Sequence, residues 1–174
     1  CGAPLVSRPL HNLCDVCFEI LEPNLGPRCE RCDEPSQERL CSRCAQTPPS
    51  FDALRAPYIY GGPIADLVTK AKFHKREDLA SALGYLLSTD PILEELIEEV
   101  DILVPVPLGK KRARKRGYNQ SAIIARVLGR EFDIPVQPPL RRRIETRPQS
   151  ELPLSKRAEN LQNAFVSKPL RGVV

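Results

Sequence analysis

Three Cys-x-x-Cys pairs stand between positions 14 and 44: Cys14/Cys17, Cys29/Cys32 and Cys41/Cys44. Two thiolates on one tight knuckle hold half of a metal ion's shell, and a second knuckle completes a tetrahedron. The run Cys29-Glu-Arg-Cys32, eight residues, Cys41-Ser-Arg-Cys44 is one complete set, with a spacer long enough to turn back. Zinc held this way is structural, because four sulfurs leave no open coordination position. Rubredoxin-like iron takes the same ligands. A disulfide framework is the competing reading. Nothing suggests secretion, however, and paired knuckles are poor disulfide partners across so short a loop.

A seventh cysteine, Cys1, is followed by Gly2 and separated from Cys14 by twelve residues. Cys-Gly commonly ends a zinc knuckle, since Gly leaves backbone room behind the sulfur. The economical reading makes Cys1 the second member of a fourth pair, which would share a first metal site with Cys14 and Cys17. His11 is an alternative fourth ligand with a less fitting spacing. The 174 residues contain no Met and begin with Cys, so the expectation is a fragment or a chain that has lost its start.

With 41% hydrophobic residues the chain can bury one ordinary core beside a small domain. No apolar run approaches a membrane span, and no signal-peptide pattern opens the chain, so the expected location is cytoplasmic without membrane insertion. Trp is absent and aromatics are 5%, which argues against an RRM-like stacking platform. The 18 prolines, about twice the usual frequency, lie mostly at segment joints. The net charge of +4 is uneven. Residues 1–100 carry ten Lys/Arg against sixteen Asp/Glu, and residues 101–174 carry sixteen against six. An anionic ligand would be drawn to the second part.

Residues 45–50, with Pro48-Pro49, read as a stiff linker. Residues 51–60 read as a strand that Gly61-Gly62-Pro63 breaks. Apolar stripes predict helices over 63–74 and 76–88. Asp90-Pro91 predicts a third helix start. Ile102, Leu103 and Val104 form a short apolar run without alternation, as in a strand buried on both faces. A basic loop over 105–117 follows, with six Lys/Arg among residues 110–116, and Gly117 closes it. A helix over 119–131 and a strand over 132–137 complete a βαβ unit with parallel strands. A short helix over 155–162, with Ser155 as cap, and a strand over 164–166 are also expected. Two valines after Gly172 look like the opening of another buried strand.

The basic loop lies at the carboxyl end of a strand and before a helix, where ligands bind in open α/β sheets. Its charges suit pyrophosphate or a polyanion, with Arg116 the first contact and Arg112 the second. The bland alternative is a solvated basic loop. Asn119 reads equally as a ligand or as a plain helix cap. His74 reads as a surface residue. No nucleophile-and-base pair and no paired carboxylates are evident.

The blocks Val104-Pro-Val-Pro-Leu108 and Gly117-Tyr-Asn-Gln120 resemble the ComF family of phosphoribosyltransferase-like proteins. Lys70-Ala-Lys-Phe73, Leu140-x-Arg142-x-x-x-Thr146-x-x-Gln149 and Leu154-x-x-Arg157-x-x-Asn160-x-x-x-Ala164-Phe165 match further blocks in the right order, as do the cysteine pairs. The resemblance implies an α/β fold in which a type I phosphoribosyltransferase-like parallel sheet over 51–174 follows a double zinc ribbon over 1–47. It implies metal ligands Cys1, Cys14, Cys17, Cys29, Cys32, Cys41 and Cys44. It also implies phosphate contacts at Lys72, Arg112, Arg116, Gly117, Asn119 and Gln120. Phosphoribosyl pyrophosphate with Mg²⁺, and the machinery of competence and DNA uptake, are the implied ligand and partners. In the family an acidic strand end and a phosphate-holding loop follow the point where Val174 stands. The expectation is therefore that these 174 residues alone do not catalyse phosphoribosyl transfer. The rival reading is a non-enzymatic zinc-ribbon protein that binds single-stranded DNA.

Overall fold

The computed structural model describes residues 13–169. The Cys-rich segment is built from turns and two single-turn helices. Helix α1 (Asp15–Glu19) starts at Cys14, and α2 (Ser42–Gln46) starts at Cys41, so the first Cys of each of these pairs is the N-cap residue. Between them, the Cys29–Cys32 turn is closed by Asp33 N–H donating to Cys29 O at 2.9 Å and Cys29 N–H donating to Glu34 O at 2.9 Å. Asp33 takes a left-handed conformation, with φ of 61°, to make that turn. Asp and Asn tolerate this region better than most residues.

Four helices form the body: α3 (Gly62–Phe73), α4 (Glu77–Ser88), α5 (Pro91–Ile97) and, later in the chain, α7 (Gln120–Glu131). Their bounds fall within two residues of the sequence expectation, because apolar stripes and caps determine them. Ile64, Leu67 and Ala71 of α3, Leu79, Ala80, Ala82 and Leu86 of α4, and Ile123 of α7 share one core. Each fully buried Leu or Ile there contributes about 1.5–3 kcal/mol. Gly84 lets α4 and α7 touch: a Cβ at this position would stand 2.8 Å from Val127 Cβ. Asp90 caps α5 by accepting from Leu93 N–H at 2.8 Å, as the Asp-Pro pair predicts. Leu13 and Leu21 of the Cys-rich segment are buried in the same core, so that segment is packed against the body.

Several expected elements differ. Residues 51–60 form no strand; Tyr58 makes a single antiparallel bridge to Pro23. Pro23 and Pro57 have no N–H to extend a ladder there. The βαβ unit is parallel as expected, but its pairing is one bridge, Leu103 to Val136. Leu103 N–H donates to Pro135 O and Leu103 O accepts from Gln137 N–H, both at 3.0 Å. Pro105, Pro107 and Pro135 remove the neighbouring donors. The wider parallel sheet implied by the family resemblance is not formed among the described residues, whose one sheet is two-stranded and antiparallel.

The segment read as a basic loop is largely helical: α6 spans Lys110–Arg116. Lys, Arg and Ala are strong helix formers, but without an apolar stripe α6 has no periodicity to betray it. The sheet pairs β1 (Leu140–Arg142), which the sequence reading missed, with β2 (Phe165–Ser167). Between them a 3₁₀ turn (Gln149–Glu151) precedes α8 (Leu154–Leu161). Ser155 does not cap α8: the helix starts one residue earlier, behind Pro153, with no side-chain cap bond. Residues 173–174, read as a strand opening, lie outside the described residues, as do Cys1 and His11.

Candidate metal centre and cationic cluster

The start of α2 at Cys41 and the Cys29–Cys32 turn closed by Asp33 bring four thiols together. The Sγ atoms of Cys29, Cys32, Cys41 and Cys44 all lie within 4.8 Å of one another, and Cys32 Sγ is 3.7 Å from Cys41 Sγ. Sulfurs about 2.3 Å from a tetrahedral zinc stand about 3.8 Å apart. The donor set therefore fits a metal ion such as zinc. Cys29 and Cys44 are each only 2% exposed. Backbone N–H donors, that of Cys41 foremost, lower the Cys29 thiol to about 6 against the effect of burial. Burial, reinforced by the neighbouring thiols, pushes Cys44 up to about 12. The Cys32 thiol is lowered, first by the Glu34 N–H and also by Arg43. Such a graded set resists the full negative charge of four thiolates until a cation shares it. Cys14 and Cys17 are half-buried, and the Cys14 thiol is lowered chiefly by the Cys17 N–H.

The second site is electropositive. Six of the seven residues of α6 are basic, and Arg112 and Arg116, one turn apart, are the two that are half-buried. Lys110, Lys111, Arg114 and Lys115 are exposed. Gly117 ends the helix with φ of 89°, donating its N–H to Ala113 O at 2.8 Å. The chain then turns through Tyr118, whose hydroxyl donates to Ala71 O in the last turn of α3. That bond sets the end of α3 beside α6: the Arg116 guanidinium lies 5.6 Å from the Phe73 ring centroid. Burial lowers the Lys72 ammonium, and the Arg116 charge lowers it further.

Arg142 joins from β1. Its guanidinium lies 5.1 Å from the Phe165 ring centroid and donates to Thr146 Oγ1. Arg112 donates to Thr146 O at 3.1 Å. Burial lowers Arg142 and Arg116 alike, and the Arg112 charge adds to both shifts. Lys72, Arg112, Arg116 and Arg142 thus form one cationic cluster, linked pairwise by their charges. None of the four makes an ion pair with a carboxylate among the described residues. Glu145, the nearby acid, accepts from Lys111 N–H at 3.0 Å and so caps the start of α6.

The remaining expected contacts carry structural duties. Asn119 caps α7, its Oδ1 accepting from Ser121 N–H at 3.1 Å, while its Nδ2 donates to Val106 O at 3.0 Å. Gln120 Oε1 accepts from Arg116. The resembling blocks meet physically. Asn160 Nδ2 donates to Gln149 Oε1 at 2.6 Å and to Arg147 O at 3.1 Å, and Gln149 Nε2 donates to Arg157 O at 3.0 Å. These bonds fix the segment that carries Thr146. Composition gave no signal for Arg142 or Phe165; only the spaced blocks pointed to that stretch.

No family model matches the chain, and no solved structure matches it significantly. Curated proteins do. The chain is 31% identical over 174 residues to the DNA utilization protein YhgH of Escherichia coli strain K12, with 92% of this chain and 73% of that protein covered. Against Competence protein F of Haemophilus influenzae the identity is 29% over 161 residues, covering 89% of this chain and 69% of that one. Competence protein ComFC of Bacillus subtilis is 26% identical over 136 residues, or 74% of this chain and 56% of that one. At this identity and coverage the chain belongs to the family of these relatives, the ComF family.

Proposed function

We propose that the chain serves in DNA utilization, the role its relatives' names carry, through a cationic cluster that binds phosphoribosyl pyrophosphate with Mg²⁺. One observation carries the ligand class: four half-buried cations converge without carboxylate partners among the described residues. Like charges held together in a partly desolvated cluster favour an anion of high charge density. Arg112 and Arg116 suit a diphosphate, since guanidinium groups bind such oxygens in pairs, and Lys72 supplies a further point charge. Positive charge at this position also stabilises pyrophosphate as a leaving group, the demand of phosphoribosyl transfer. Asn119 and Gln120 hold the turn that presents Arg116. The Cys29–Cys44 set holds zinc as a structural ion.

Calorimetric titration with phosphoribosyl pyrophosphate and Mg²⁺ tests the reading. Saturable binding that Arg116→Ala weakens about tenfold, the scale of one charge-assisted contact, supports it. Absence of binding, or an affinity indifferent to Arg116, removes it.

A second reading, single-stranded DNA at the same cluster, has its own observation. Phe73 is 69% exposed, with Arg116 over its ring, and a base can stack on such a surface. Anisotropy of a labelled oligothymidine across a salt series separates the two. A steep salt slope that Phe73→Ala leaves in place while lowering affinity favours DNA. A shallow slope with a Mg²⁺ requirement favours the small ligand.

A further inference from the structure

Away from the thiols and the cationic cluster, charge is buried at one further place among the described residues. The Arg55 side chain is 7% exposed and lies between two carboxylates, Asp33 at 8% and Asp90 at 10%. Arg55 Nη1 donates to Asp33 Oδ1 at 3.2 Å. Its Nε and Nη2 donate to Asp90 Oδ1 and Oδ2 at 3.2 and 3.0 Å. Further donors meet the same two carboxylates. Asp33 Oδ2 accepts from Ala56 N–H at 2.9 Å and Asn24 Nδ2 at 3.2 Å, and Asp90 Oδ1 accepts from Leu93 N–H at 2.8 Å. Each carboxylate is therefore satisfied only while the guanidinium stays between them.

The two acids belong to different structures. Asp33 follows Cys32 directly, and its left-handed backbone and its N–H bond to Cys29 O are parts of the metal knuckle. Asp90 is the cap of α5. Between the knuckle and α5 runs a groove of about 720 Å³, lined by Cys29, Asp33 and Arg55 on one side and Ile92 and Leu96 on the other. Ile92 and Leu96 remain 45% and 37% exposed, and Ile97 is the one buried residue of α5. Apolar packing across the groove is thin, and the charged triad is the tie.

We propose that Arg55 is a latch that reports the state of the Cys29–Cys44 metal centre to helix α5. This rests on the metal reading given above. While the ion holds the knuckle, Asp33 is fixed and Arg55 is clamped on the α5 cap. When the ion leaves, the turn that places Asp33 loses its anchor, the guanidinium loses one of its two acids, and α5 is released at its N-terminus. Removal of the ion by a chelator thereby opens the groove and exposes Ile92 and Leu96 further, without dismantling the α4–α7 core.

The test is amide hydrogen exchange on the whole chain with zinc bound and after chelation, with cobalt substitution as an independent check on the thiol site. In the wild type, removal of zinc is expected to speed exchange in α5 about tenfold or more while α7 holds its protection. Asp33→Asn keeps the shape and tolerates the left-handed turn, but removes the charge. It should retain the cobalt–thiolate absorption and yet show fast α5 exchange with metal present, rising less than about twofold on chelation. Unchanged α5 exchange on zinc removal overturns the latch, as does simultaneous acceleration of α4, α5 and α7. A full zinc response in Asp33→Asn overturns it as well. A chain without cobalt–thiolate absorption fails earlier, at the metal reading itself.

Discussion

The thiol set is gathered from 16 residues of chain, Cys29 to Cys44, whereas the cationic cluster draws on α3, α6 and β1, from Lys72 to Arg142. The first closes on itself through two short turns. The second exists only once Tyr118 has bonded to Ala71 and Thr146 has received both Arg112 and Arg142. A locally closed site is robust to distant change and sensitive to its own few ligands. A site assembled at long range spreads its dependence over braces that touch no ligand.

The largest expected effect is at the thiols. Cys32→Ser removes one of four donors, and stoichiometric zinc, measured by metal analysis, should be lost with several kcal/mol of local stability. If the two sites are as separate as their construction says, polyanion binding at the cationic cluster survives this change. Its loss would show that the knuckle supports the cluster. Next is Arg55→Ala, which strands Asp33 and Asp90 in a buried setting. Urea denaturation should show about 3–5 kcal/mol of destabilisation, the cost of leaving buried charges unpaired. A value near zero would mean that water reaches the acids.

A pH series sharpens the contrast from the metal side. With no metal, Cys44 keeps its proton until about 12, so binding at neutral pH must expel it, and affinity rises with pH, about tenfold per unit for each proton released. Cys29, at about 6, is already a thiolate above that pH. Below 6 it too must be deprotonated, so the dependence should steepen as pH falls through 6. Chelator competition at several pH values reads the slope; a flat profile contradicts this proton count.

The smallest effect belongs to the cationic cluster's bracing. Thr146→Val deletes the hydroxyl that Arg142 meets but keeps the carbonyl that Arg112 meets. A stability loss of about 0.5–1.5 kcal/mol by thermal unfolding is expected, the worth of one hydrogen bond. A larger loss in anion affinity than in stability would assign Thr146 to positioning.

The same contrast explains what was legible in the sequence. The Cys29–Cys44 set could be read because a tetrahedral ion needs thiols at short, regular spacing, and α3, α4, α5 and α7 because they bury one face or carry a cap. Helix α6 was hidden: its stability comes from propensity, the Glu145 cap and the Gly117 stop, none of which leaves an apolar period. Strand β1 has three residues, two of them arginine, and pairs with a partner 25 positions on. The Arg55 triad spans separations of 22 and 35 residues between ordinary surface-type side chains, and nothing in either neighbourhood announces the other. Prolines at 105 and 107 marked the end of the first strand, but together with Pro135, inside the expected second strand, they cut the ladder to a single bridge.

Helix α6 changes what an encounter with an anion costs. A mobile basic loop would have to be ordered at the moment of binding, at about 0.5–1.5 kcal/mol for each long side chain brought to rest. Here Arg112 and Arg116 project from a rod stopped at Gly117, about 6 Å apart along its axis, with Thr146 and Gln120 already steadying their guanidinium groups. The two charges form a fixed-span caliper, and on the function proposed above a ligand would be selected by whether its own charges match that span.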